Sequence, residues 1–357
     1  MMHDLASLGW DDSFAAAYAE RATAGADEVP GRVMRADRGV CTVLIGAGTA
    51  RASVAGALLT DAGRDPVALP CAGDWVVVRT WPDGRISAEA VLPRRSAVVR
   101  RTADKDSTGQ VLAANVDTAA VVEPIDPSPD LNRVERLLTL AWQSGAQPCV
   151  VLTKADLATD PATIARQVGD AAAGAPVYPV SAERGEGLDA LRPHVAPGRT
   201  CALLGPSGSG KSTLANALAG TTVLATQQVR RVDGKGRHTT THRALVPLPG
   251  GGAVLDTPGL RAVGLLDADT GLNLAFTDVA DLVQRCRFTD CGHDTEPGCA
   301  VQAALADGEL SVRRWDSWRK LQRELAYEAR RKDARLAAEE RARWKRVQRQ
   351  GRRRSRP

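Results

Sequence analysis

The eight residues Gly205-Pro206-Ser207-Gly208-Ser209-Gly210-Lys211-Ser212 fit the pattern G-x-x-x-x-G-K-[ST] in full. An apolar strand-like run, 201–204, precedes them, and Thr213 opens a good helical segment. Glycines at these spacings let backbone N–H groups close around phosphates. Lys211 would contact the β- and γ-phosphates of a nucleotide, and Ser212 would hold Mg²⁺. The helix N-terminus behind them adds a positive field of its own.

Three further segments carry related chemistry. Asp256-Thr257-Pro258-Gly259 follows the apolar run 253–255 and has the D-x-x-G form found in GTPases. Its Asp would reach Mg²⁺ and its Gly N–H would meet the γ-phosphate. Thr153-Lys154-Ala155-Asp156 follows the run 149–152 and resembles the guanine motif N-K-x-D, with Thr in place of Asn. A carboxylate at Asp156 accepts hydrogen bonds from guanine N1–H and the N2 amine. Adenine lacks that pair, and a buried carboxylate left unpaired is costly. Ser181-Ala182 follows the run 177–180 and resembles the loop whose backbone meets guanine O6.

The order of these segments is unusual. An ordinary GTPase reads P-loop, switch I, D-x-x-G, N-K-x-D, S-A. Here the last two come first, at 153 and 181, and D-x-x-G comes last. That is a circular permutation. It leaves a site assembled from strand ends intact, but it makes the D-x-x-G segment lead directly into the C-terminal part. Between P-loop and D-x-x-G lies Gly234-Lys235-Gly236-Arg237-His238-Thr239-Thr240-Thr241. Thr240 is the favoured third Mg²⁺ ligand, with Thr239 and Thr241 as rivals. Leu260 follows Gly259, where many GTPases carry a water-orienting Gln. His238 is the candidate replacement, because a neutral imidazole can orient or deprotonate water near pH 7.

Cys286-x4-Cys291-x-His293-x5-Cys299 puts three thiols and an imidazole within 14 residues. That set matches a closed tetrahedral zinc site, hence a structural rather than a catalytic ion. The other four cysteines, Cys41, Cys71, Cys149 and Cys201, sit in or beside apolar runs and read as buried residues.

The elements that must position these groups fall into three parts. The chain has 357 residues, 43% hydrophobic and 25% charged, so two or three globular domains are expected and a collagenous, wholly disordered or membrane-embedded chain is excluded. No apolar run is long enough to span a bilayer, and the first twelve residues lack the pattern of a signal peptide. Residues 1–30 are an Ala-rich extension that Pro30-Gly31 punctuates. Residues 31–98 hold short β segments at 40–45, 75–80 and 86–92 between turn signals, as in a small β-barrel of the OB type. The polar stretch 100–110 reads as a linker or loop. From 111 to 268 apolar runs alternate with helix-length segments, one of them marked by Val134, Leu137, Leu138 and Ala141. Such alternation predicts a doubly wound α/β domain with ligands at the carboxyl ends of its strands. Residues 269–330 read as a helical module around the Cys/His cluster, with Trp315, Trp318, Leu321 and Leu325 on one helical face. An Arg-rich tail, 331–357, follows. Residues 313–357 carry net charge +12 against −7 for the rest, which suggests a polyanionic partner.

Together these features resemble the circularly permuted ribosome-small-subunit-dependent GTPase A family. The resemblance rests on the motif order, on Gly-Arg-His-Thr-Thr-Thr at 236–241, and on the Cys/His cluster with Glu-Pro-Gly-Cys-Ala-Val at 296–301. It also takes in Val-Leu-Pro-Arg-Arg-Ser at 91–96 and Asn115-Val116-Asp117, and spans roughly residues 30–325. It implies an N-terminal OB barrel, a central permuted GTPase and a C-terminal zinc module. It further implies a cytoplasmic GTP hydrolase that binds rRNA of the small (30S) ribosomal subunit late in assembly, is stimulated by that subunit and is released on hydrolysis. Nothing in the chain demands an oligomer, so a monomer is expected. Two rivals stand beside this reading. One is an RNA-binding module that keeps GTP as a ligand with negligible turnover. The other is an ATP-using P-loop enzyme, against which Asp156 argues.

Overall fold

The computed structural model describes residues 4–101, 109–224, 244–257 and 264–333, with Ala338 and Arg341. The N-terminal segment is anchored. Asp11 caps α1 (Asp12–Ala19) by accepting hydrogen bonds from the N–H groups of Ser13 and Phe14. Trp10 and Phe14 pack on the buried Trp75, at ring separations of 4.9 and 5.8 Å. Ser7 O accepts from the N–H groups of Gly198 and Gly252, fastening this segment to the α/β layer.

Strands β1 (Glu28–Asp37), β2 (Val40–Ile45) and β3 (Gly48–Val54), helix α2 (Gly56–Arg64), and strands β4 (Trp75–Thr80) and β5 (Ile86–Val91) follow. The strands close into a barrel in the order β1-β2-β3-β5-β4, antiparallel except for β3 with β5. Val33, Cys41, Val43, Ala52, Val54, Val76, Val78 and Ala88 fill it. Pro30-Gly31 is not a boundary, as the sequence suggested, but lies inside β1. A Cβ at Gly31 would come within 2.4 Å of Val43, so only glycine lets this strand close on the barrel core. Between the predicted β segments 40–45 and 75–80, where the sequence shows only turn signals, the chain forms β3 and α2.

β6 (Ala97–Arg101) and β7 (Gly109–Ala114) form an antiparallel pair, so both ends of the predicted 100–110 loop belong to strands. Then come β8 (Thr118–Pro124), α3 (Leu131–Gln143), β9 (Gln147–Thr153), α4 (Pro161–Ala171), β10 (Val177–Val180), β11 (Thr200–Leu204), α5 (Lys211–Ala219), β12 (Ala244–Pro247) and β13 (Ala253–Asp256). They build a sheet of order β10-β9-β8-β11-β13-β12, parallel except for the edge strand β12. The four apolar runs that precede the motif segments, 149–152, 177–180, 201–204 and 253–255, are all strands of this sheet. Because its inner strands β8, β9, β11 and β13 are buried on both faces, they read as continuous apolar runs. Cys41, Cys71, Cys149 and Cys201 are all buried.

Helices α6 (Asp269–Ala275), α7 (Thr277–Gln284), α8 (Ala300–Ala306) and α9 (Val312–Lys332) complete the described chain. Trp315, Trp318, Leu321 and Leu325 of α9 are buried, as their spacing predicts. Two buried charge clusters lock the parts together. The fully buried Arg32 of the barrel donates to Leu8 O, Asn115 O and Thr200 Oγ1 and lies 4.9 Å over Trp75. The fully buried Glu135 of α3 accepts from both Arg313 and Arg314 of α9. Among the described residues, no helix is long and apolar enough to cross a membrane.

Candidate nucleotide site and metal centre

The loop after β11 is shaped by close approach. Its Gly205 stands so near β8 that a Cβ would fall 2.3 Å from Val122 O. Gly208 and Gly210 take φ values of 82° and 88°, the left-handed region where glycine is at no disadvantage. Lys211 begins α5 and folds back over the loop. Its Nζ donates to Gly205 O at 2.9 Å and Pro206 O at 2.7 Å. Ser212 and Thr213, both half-buried, occupy the same first turn.

Asp256, at the end of the neighbouring β13, is 3% exposed, and its Oδ1 has no hydrogen-bond partner among the described residues. Burial raises the Asp256 pKa, and Lys211 opposes that rise. Burial likewise lowers the Lys211 pKa, with Asp256 opposing. Ser209 Oγ is a second buried oxygen without a hydrogen-bond partner among the described residues. Buried polar atoms are normally satisfied, so this pair marks a place built for something polar that enters from outside. With the Ser212 hydroxyl in the first turn of α5, the Asp256 carboxylate beside this phosphate cradle makes the donor set Mg²⁺ takes, with water and phosphate oxygens completing its shell.

The departure at Thr153 has a structural explanation. Its hydroxyl donates to Ser209 O in the P-loop at 2.6 Å, and Gly210 lies against it. Thr153 therefore joins the guanine-type loop to the phosphate loop. Lys154 takes a left-handed φ of 60° and turns the chain. Ala155 is buried behind that turn. Asp156 is half-buried and hydrogen-bonded to Ser181, which lowers its pKa and keeps it an ionised acceptor at neutral pH. Ser181 is in turn fixed by an antiparallel bridge to Glu186, leaving Ala182 at the tip. Thr153→Val should leave Ser209 O short of a donor. At about 1–2 kcal/mol for such a bond, GDP and GTP affinities should fall together by roughly 5–30-fold in a fluorescent-nucleotide titration. Unchanged affinities would rule out this role for the hydroxyl.

The four segments thus meet at one edge of the sheet. Thr153 touches Ser209, Asp156 touches Ser181, and Lys211 faces Asp256. Gly259, His238 and Thr240 lie outside the described residues.

In the C-terminal module the ligand atoms of Cys286, Cys291, His293 and Cys299 all lie within 4.8 Å of one another. Cys286 Sγ is 3.8 Å from Cys299 Sγ, and His293 Nδ1 is 3.5 and 3.6 Å from these two sulfurs. A tetrahedral ion bound at about 2.3 Å to sulfur and about 2.05 Å to nitrogen demands edges of about 3.8 Å (S–S) and about 3.55 Å (S–N). The edges among Cys286, His293 and Cys299 have the dimensions of such a site, and the Cys291 sulfur lies within 4.8 Å of each of them. Cys299 Sγ also caps α8, accepting from Gln302 N, while Gln302 Nε2 donates to His293 O at 2.6 Å. Glu296 accepts from the N–H groups of Gly292, Asp294 and Thr295 and so folds the loop between the ligands. The sequence showed Glu296 as part of a signature but not this task. The three loop amides of Gly292, Asp294 and Thr295 gathered around it in three dimensions reveal it.

A family model described as RsgA GTPase matches residues 91–266. The chain is 53% identical over 345 residues to a small ribosomal subunit biogenesis GTPase RsgA of Streptomyces coelicolor, covering 96% of this chain and 92% of that protein. A protein of the same name from Opitutus terrae is 46% identical over 353 residues, covering 96% and 95%. Among solved structures, YjeQ from Thermotoga maritima is similar with a TM-score of 0.60 at 26% identity, over 84% of this chain and 98% of that one. YloQ, described as a circularly permuted GTPase, shares the fold with a TM-score of 0.56 at 24% identity, over 86% and 98%.

Proposed function

Because the chain belongs to the RsgA GTPase family, we propose that it hydrolyses GTP to GDP and phosphate in late assembly of the small (30S) ribosomal subunit. It would bind the subunit through its rRNA and leave on hydrolysis. The observation that carries this reading is the convergence of four motif segments, scattered in permuted order along the chain, on one sheet edge. An ordinary Gly-rich turn needs no such partners.

The roles follow from chemistry. Asp156 receives guanine N1–H and the N2 amine, and the Ser181-Ala182 backbone meets O6. The backbone N–H groups of 207–213 surround the phosphates. Lys211 exchanges its two carbonyl partners for β- and γ-phosphate oxygens. Ser212 and Asp256 would hold Mg²⁺, which when bound neutralises charge that builds on those oxygens. Zinc is the ion for Cys286, Cys291, His293 and Cys299, where four protein ligands leave no open position and the role is structural. The OB-type barrel and the Arg-rich end are the surfaces suited to rRNA, the first by its fold and the second by its charge. A division into an N-terminal extension that ends where β1 begins at Glu28, a barrel reaching to about 98, and segments 111–268, 269–330 and 331–357, with a monomeric state and a cytoplasmic site of action, completes the proposal.

The test is GTP hydrolysis with and without purified small subunits, with ATP in parallel. Strong stimulation confined to GTP is the expected result. Subunit binding with negligible turnover would favour a GTP-liganded RNA-binding module instead. Equal use of ATP would remove Asp156 from its role.

A further inference from the structure

The stretch of chain that leaves the phosphate site is gripped by two other parts of the molecule. Gly264 and Leu265 stand eight and nine residues after Asp256. Gly264 forms an antiparallel bridge with Arg101, the last residue of β6, whose N–H donates to Gly264 O at 3.0 Å. The Leu265 side chain is fully buried, and its N–H donates to Glu324 Oε1 of α9 at 3.2 Å. The same carboxylate takes a two-pronged hydrogen bond from Arg136 of α3, at 2.9 and 2.6 Å. One turn further along α9, Glu328 pairs with the Arg101 guanidinium. Four elements therefore meet around Glu324: the sheet's helix α3, the β6–β7 pair next to the barrel, the chain leaving β13, and the C-terminal helix.

The chemistry is directional. Burial alone would raise the Glu324 pKa, but the Arg136 fork, helped by the Leu265 amide, holds it lowered. The fork fixes the carboxylate in one plane, so its remaining acceptor direction favours one placement of the Leu265 amide. A leucine would serve if only packing were required. Allosteric coupling needs a contact whose strength differs between states, and this bond lies on the short chain path between the phosphate site and α9.

We propose that Glu324 is the positioning residue through which the occupant of the phosphate site controls the C-terminal helix. The Leu265 N–H bond is the contact that differs between the GDP and GTP forms, and the Gly264–Arg101 bridge carries the same change to the β6–β7 pair. The inference rests on the GTPase reading above and specifies how that site is regulated.

Hydrogen exchange tests it on the intact protein, without subunits. Peptides within 312–332 are followed with GDP and with a non-hydrolysable GTP analogue, Mg²⁺ being present in both. Wild type should show exchange rates that differ between the two forms by about five-fold or more. Glu324→Gln keeps the shape but loses the charged fork. Arg136→Gln removes the fork from the opposite side. Both should abolish the difference while leaving GDP affinity and subunit-free hydrolysis within about two-fold of wild type. A helix that is merely weakened would exchange faster in both forms and keep the difference. That result, or a wild type showing no difference, overturns the proposal. If the protein binds no guanine nucleotide, the GTPase reading fails and this inference falls with it. If binding is normal and only the exchange difference is missing, this inference fails alone.

Discussion

Lys211→Ala should lower single-turnover GTP hydrolysis by about 10²–10³-fold and weaken nucleotide binding by about 10–150-fold. The Lys211 ammonium is buried against two loop carbonyls and faces Asp256, so it is held in place before any phosphate arrives. Little reorganisation is then needed when phosphate oxygens replace those carbonyls. The substitution also has a consequence without nucleotide. Asp256 is a buried carboxylate with a raised pKa, and Lys211 is what limits the rise. A carboxyl whose folded-state pKa lies above its unfolded value contributes stability that is present below the unfolded pKa and is lost as pH rises through the folded pKa. Without Lys211 that loss grows. The nucleotide-free variant should therefore gain more in Tm than wild type on going from pH 7 to pH 5. Thermal melts at the two pH values and fluorescent-nucleotide titrations check both halves. Hydrolysis within three-fold of wild type would show that Lys211 does not touch the reacting phosphates.

How much of this could be read in advance depended on the length scale of each interaction. The inner strands of the sheet, β8, β9, β11 and β13, are buried on both faces and leave uninterrupted apolar runs. The α3 row of Val134, Leu137, Leu138 and Ala141 was equally visible, and all four residues are buried. The barrel was only partly legible. β1 contains Pro30, Gly31 and the buried Arg32, each of which argues locally against a strand interior. Its place is set by long-range contacts instead, from Val43 across the barrel to Thr200 in the sheet. β3 carries Thr49, Arg51 and Ser53 on its exposed positions and has no apolar run to announce it.

The candidate site shows the same division. Residue types and spacing identified the groups that would meet phosphate, base and metal. They did not show what holds those groups. Thr153 reaches Ser209 across 56 positions, and Arg314 reaches Glu135 across 179. Such pairs leave no periodicity in one sequence. A buried Glu on a helix reads as a solvent-facing residue until its arginine partners are seen.

The second large effect concerns the metal. Stripping the ion with a chelator, or replacing Cys299 by Ser, should abolish one-to-one zinc content and unfold the 285–299 loop. Apparent binding free energies of structural zinc in small peptides are about 10–16 kcal/mol near neutral pH, far above what this loop's own contacts supply. Cys286 and Cys291 are only half-buried, and Phe288 between them is exposed, so little hydrophobic burial remains once the ion is gone. The damage should spread along a definite path. Cys299 caps α8, and His293 packs edge-on against Trp315 at 5.6 Å. Trp315 stacks on Trp318 at 5.0 Å. Losing the first shell of this stack should red-shift tryptophan emission and reduce the near-ultraviolet circular dichroism. The sheet has a separate core around Val122, Val151, Leu203 and Leu214 on its other face, so GDP affinity should stay within a few-fold of wild type. Metal analysis, tryptophan emission and nucleotide titration on one preparation separate the possibilities. Full zinc retention by Cys299→Ser would remove Cys299 from the ligand set. Loss of zinc with an unmoved tryptophan spectrum would show that the module stands without its ion. Loss of GDP binding together with the ion would show that the sheet depends on this module far more than its own core suggests.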